Sequence, residues 1–192
     1  MNIVVPTRGS LVRDICPAHA VYNACFVTCP RNFVTLPTLA ETRIASLVHA
    51  YHVADYRWEL DGRWLPLEIG AVAAELESAY PLSHEFGLLS AWNPHSVDRP
   101  EPENRADDEA LRAALAASGV PYRAGFSSAR NRSWREPSWI VMDLPLKQLD
   151  DLARRFRQLG ILYARRGQPM RLRVFHPALS DCANLDGVDW VD

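Results

Sequence analysis

The chain has 192 residues, enough for one domain with an extension or for two small domains. Hydrophobic residues make up 48% and charged residues 23%, the balance of a soluble globular protein, and no run approaches the ~18 apolar residues needed to span a bilayer. The net charge of −2 hides an asymmetry: residues 123–173 carry 12 basic and 4 acidic side chains, net +8, inside an otherwise acidic chain.

Residues 1–40 mix short apolar runs with Pro6, Pro17, Pro30 and Pro37 and show no sustained period. They read as an N-terminal extension of poor order. Arg8, Arg13, Asp14 and Pro17 break the apolar stretch, so it does not read as a signal peptide, and a cytoplasmic protein is expected. Cys16, Cys25, Cys29 and His19 lack the paired spacing of a zinc site; reduced, packed cysteines are the simpler reading for these and for Cys182. No metal or cofactor is expected.

A single α+β domain is expected over 41–178. Val48–Leu60 is rich in β-branched and aromatic residues and predicts a strand, with Asp61-Gly62 turning into a second strand at Arg63–Ile69. Pro66 places that second strand at an edge. Gly70–Tyr80 predicts a short helix. Next come a strand at Phe86–Trp92, a proline-rich loop, a helix at Asn104–Ser118 with an acidic first turn, and a strand at Pro121–Ser127. An arginine-rich connection then leads to a strand at Ser138–Leu144. A helix opened by Pro145 follows, with Asp150–Arg154 and Asp151–Arg155 spaced as i,i+4 pairs. Strands at Ile161–Ala164 and Met170–Phe175 complete the unit, and 179–192 is an acidic C-terminal tail.

The order from Phe86 onward is that of a ferredoxin-like β-α-β-β-α-β antiparallel sheet, here with an added N-terminal β-hairpin and helix. In that order three connections reach one rim of the sheet: Asn93–Glu103, Ser128–Pro137 and Gln158–Gly160. Long loops that converge in a small domain more often serve function than structure. The candidate ligand-binding residues at this rim are Asn93, Ser96, Asn104, Arg130, Arg132, Glu136, Ser138 and Gln158. Each has a plainer reading alone: turn starter, helix cap, surface ion pair or helix-end partner. His95 is read as a surface histidine.

Four pieces of this chain, SAWNPHS at Ser90–Ser96, Asn104 with its helix, EPS at Glu136–Ser138 and RFRQLGILY at Arg155–Tyr163, together resemble the bacterial "domain of unknown function 3293" family over roughly residues 48–175. The resemblance implies no reaction. It implies that Asn93, Pro94, Ser96, Asn104, Glu136, Ser138 and Gln158 are the family's recognisable positions, and residues 1–40 fall outside its pattern.

A small polar or anionic ligand is the first functional expectation. The amides donate and accept, Arg130 or Arg132 offers a guanidinium, and Glu136 is the general base if the protein is an enzyme. No nucleophile–base pair or phosphate-binding glycine motif is visible. The second expectation is an RNA-binding module, with Trp92 and Trp139 as stacking rings and the basic 123–173 segment on phosphates. The third is a protein-interaction or regulatory domain. No oligomeric state follows from the sequence.

Overall fold

The computed structural model describes residues 39–191, which belong to one unit. The readings of Cys16, His19, Cys25, Cys29 and most of the 1–40 extension lie outside the described residues.

The first element among the described residues is helix α1, Leu39–His52. The strand predicted from Val48 therefore begins later, as β1 at Asp55–Leu60. Helix wins because Ala45, Val48 and Tyr51 recur every third residue and face the sheet, Val48 being fully buried. Packing of that stripe overrides the local β-preference. At Asp61-Gly62 both residues take positive φ, 51° and 76°, and the chain reverses into β2, Arg63–Leu67. An antiparallel two-residue turn needs this backbone, which glycine adopts without strain. Helix α2 is confined to Ala74–Ala79 and buries Leu76.

Strand β3, Glu85–Leu89, leads through a short 3-10 turn at Pro94–Ser96 into helix α3, Glu101–Ser118. The helix starts three residues before the predicted Asn104 because Pro102 sits in its first turn, where the missing N–H has no helical partner to lose. Asn104 is thus an interior helix residue and not a cap. Strands β4, Tyr122–Ser128, and β5, Arg135–Met142, form a hairpin. Glu136 consequently lies in a strand, not in the predicted connection, and Ser138 lies in the strand expected for it. Helix α4, Leu146–Arg155, precedes β6, Gly160–Arg165, and β7, Arg171–Val174. On α4, Asp150 bonds Arg173 of β7 and Asp151 bonds Lys147, in place of the expected pairs with Arg154 and Arg155. The segment read as a tail contains a 3-10 turn at Ser180–Cys182 and strand β8, Val188–Trp190. Cys182 is buried beneath α1, its thiol 3.8 Å from the Ala45 carbonyl.

The fold is mixed α+β. Among the described residues eight strands form one sheet in the order β2-β1-β4-β5-β3-β6-β7-β8, antiparallel throughout except for β7 with β8. β2, which carries Pro66, is an edge strand. Strand alternation divides the core in two. Phe86, Leu88, Ile140, Met142 and Leu162 pack against α1, α2 and Cys182. Leu89, Val141, Ile161 and Tyr163 pack against α3 and α4. No helix among the described residues is long and apolar enough to cross a membrane.

The candidate ligand site at the sheet rim

The C-terminal end of β3 lies beside the start of β5 and the start of β6, with Leu89 opposite Trp139 and Leu88 opposite Leu162. The loop leaving β3 is therefore delivered to the residues that open both neighbouring strands. Asn93, His95 and Ser96 in that loop all hold left-handed backbone, with φ of 47°, 56° and 55°. Such residues cost of the order of 1–3 kcal/mol each and persist only when surrounding contacts fix them.

Those contacts form a chain of amides. Asn93 donates through Nδ2 to Glu136 Oε1 at 2.8 Å. A carboxylate only accepts, so Asn93 Oδ1 is free to accept from Asn104 Nδ2, at 2.9 Å. Asn104 Oδ1 in turn accepts the Asn93 backbone N–H at 2.8 Å and Arg99 Nε at 2.6 Å. Asn104 is 2% exposed. Gln158 donates to the Trp92 carbonyl at 3.0 Å, and the His95 N–H donates to the Arg157 carbonyl at 2.8 Å, which joins the loop to the end of α4. Ser96 meets the Tyr51 hydroxyl of α1, and its carbonyl accepts Arg43 Nη2 at 3.0 Å.

The structure thus brings Asn93, Ser96, Asn104, Glu136 and Gln158 into one connected region. Ser138 is buried beside it and lines, with Tyr51, Tyr56, Ser90, Glu136 and Gln158, a chamber of about 40 Å³ under α1. Arg130 and Arg132 are not part of it. Arg130 is exposed and donates to the Val53 carbonyl at 2.9 Å; Arg132 is exposed in the β4–β5 turn with φ 59°. His95 is exposed.

Outside the small chamber lies a second cavity of about 270 Å³ whose wall includes Tyr51, Asn93, Ser96, Asp98, Trp134 and Glu136. Glu136 belongs to both. Its only donor among the described residues is Asn93. Burial pushes the Glu136 carboxyl above the usual carboxylate range; the Asn93 bond opposes this and the nearby Asp98 charge adds to it. Burial likewise raises the Tyr51 hydroxyl, against the Ser96 bond and with the Glu136 charge. Tyr51, Asp98 and Trp134 were not singled out from the sequence. Tyr51 becomes visible once residues 39–52 are read as a helix, because it follows Val48 by three on the buried stripe.

Trp92 and Trp139, the expected stacking rings, both line a cavity of about 560 Å³ together with Trp64, Phe126 and Arg135. Trp139 Nε1 donates to Asp108 of α3 at 2.9 Å and its ring meets Tyr122 edge-on. Trp92 Nε1 is buried without a hydrogen-bond partner among the described residues.

Among known families, the model described as "Protein of unknown function (DUF3293)" matches residues 89–161. No curated protein and no solved structure matches the chain. The matched stretch runs from the end of β3 into β6 and holds the Asn93 loop, Asn104, Glu136, Ser138 and Gln158, whereas Tyr51 lies before it. The match over residues 89–161 thus supports the resemblance that these motifs carry.

Proposed function

We propose that the rim binds a small polar ligand that presents a hydrogen-bond donor to Glu136. The observation that carries this reading is Glu136: one carboxylate oxygen is fixed by Asn93, and the group lines a cavity of about 270 Å³. Functional pockets commonly combine a few fixed polar groups with an adjoining apolar or aromatic wall, supplied here by Trp134 and Leu47. The lining favours a neutral or cationic ligand over an anion. Asp98 shares the cavity with Glu136, and no arginine lines it among the described residues. Glu136 is also the half-buried group of the cavity suited to take or give a proton, since burial raises its affinity for protons above that of an ordinary carboxylate.

The same reading takes β6-β3-β5-β4 with α3 and α4 as a ferredoxin-like core. Its support is the strand order, the antiparallel pairing and the packing of both helices on one face. The opposite face, on which an RNA-binding module of that order presents its stacking rings, carries α1 and α2 here. The small-ligand reading is preferred for that reason.

A thermal-shift screen of amines, amino acids and nucleosides tests the proposal. A ligand at about 100 times its dissociation constant stabilises by about 2.7 kcal/mol. Glu136→Gln and Asn93→Ala are each expected to abolish the shift. A hit whose shift survives in both variants would place the ligand elsewhere.

A further inference from the structure

A different cavity lies on the other side of the Asn93–Ser96 loop. Its volume is about 350 Å³, and Arg43, His95, Arg154, Arg157 and His176 line it above a floor of Ile44, Leu159 and Phe175. No carboxylate lines it among the described residues. We infer that this cavity binds a small, multiply charged anion, a phosphate group by its chemistry.

The basic side chains come from four separate segments: α1, the loop after β3, the end of α4, and the chain beyond β7. A helix C-terminus attracts positive side chains through its dipole, which accounts for Arg154 and Arg157. It does not account for Arg43, His95 and His176, which arrive from elsewhere. Arg43 and Arg157 bring like charge to one cavity from two segments, and an anion between them would relieve their repulsion.

Several of these groups are also held in position. Arg43 is tethered by its bond to the Ser96 carbonyl, which uses one of five guanidinium donors. The Arg154 guanidinium lies 5.1 Å from the centre of the Phe175 ring. His95 and Arg157 both have left-handed backbone, φ 56° and 53°, and are joined by the His95 N–H to Arg157 carbonyl bond. Two strained residues clamped to each other place an arginine and a histidine on one wall. Guanidinium forks match phosphate oxygens pairwise, so arginines presented this way select phosphate over a monovalent ion.

The assignment does not rest on the Glu136 cavity, and the experiment separates the two. Calorimetric titration of the full chain with inorganic pyrophosphate at constant ionic strength is expected to show saturable binding. Arg43→Gln combined with Arg157→Gln should weaken it about tenfold or more. Both side chains are exposed, and an unchanged melting temperature confirms the fold. Arg130→Gln with Arg132→Gln removes the same charge from the basic segment outside the cavity and should change affinity by no more than about twofold. Glu136→Gln should leave it unaltered. Absence of pyrophosphate binding, equal weakening by the two double variants, or loss of binding in Glu136→Gln would each overturn the inference.

Discussion

At Glu136 the sign of the stability contribution follows from the direction of its proton affinity. The folded chain holds the Glu136 proton more tightly than the unfolded chain, whose glutamates titrate near ~4.3. Between the unfolded and folded pKa values the native state therefore carries the extra proton, and stability falls as pH rises through that window. Above the window the loss is complete and constant. Gln is neutral at every pH and retains a carbonyl oxygen for the Asn93 amide. Glu136→Gln is thus expected to be more stable than the parent at pH 7, with the difference shrinking as pH is lowered toward 4. Urea denaturation of both proteins across this range checks it; a variant less stable than the parent at pH 7 would mean that the charged form is favoured. A gain at neutral pH would also fit a residue kept for binding at a cost to stability.

Among the strands, β4 joins the β1–β2 hairpin to the rest of the sheet, and Gly125 lies in that junction, opposite Trp58. A Cβ at Gly125 would lie 2.7 Å from Leu88 Cδ1 and 3.0 Å from the Arg57 backbone oxygen. At Gly87 it would meet Leu149 Cδ2 at 2.5 Å, the end of one side chain. A side-chain tip can rotate, whereas the Arg57 carbonyl cannot move without disturbing β1–β4 pairing. Overpacking costs typically about 1–3 kcal/mol, so Gly87→Ala is expected within that range and Gly125→Ala at its top or above. Denaturant midpoints rank the two, and equal values would mean that β1 yields easily. The same elements show what a linear reading can detect. The Asp61-Gly62 turn was legible because its backbone restricts composition. β5 was misplaced because Glu136-Pro137 reads as a loop. Proline is tolerated there since β3 ends at Leu89, opposite Trp139, so Pro137 pairs across β4 alone. The meeting of Asn93, Asn104, Glu136 and Gln158 followed from connection order. Tyr51 and Asp98 did not, as their approach depends on how α1 packs and how the loop folds back.

Over the whole molecule, part of the basic excess of residues 123–173 is paired within the chain. Arg165 faces Glu85, Arg171 faces Asp189, and Arg166 caps carbonyls at the end of α2, Glu77 and Tyr80 among them. Arg173 differs in being buried with its partner: side-chain exposure is 14% for Arg173 and 11% for Asp150, in a two-pronged contact of 3.1 and 2.8 Å that ties β7 to α4. A buried pair gains strength from poor screening but loses hydration, so removing one partner strands the other charge. Asp150→Ala is expected to cost about 3–5 kcal/mol, whereas Lys147→Ala, which breaks an exposed pair with Asp151, should stay within about 0.5 kcal/mol. Replacing both partners, Asp150→Leu with Arg173→Met, should recover most of the loss, because an apolar pair of similar volume leaves no charge unpaired. Urea denaturation at low and high salt completes the double-mutant cycle. The cost of Asp150→Ala should be nearly unchanged by salt. If it instead vanished in high salt, or if the double variant were no better than Asp150→Ala alone, the link between β7 and α4 would be a surface attraction and the sheet's outer strands would be held by apolar packing alone.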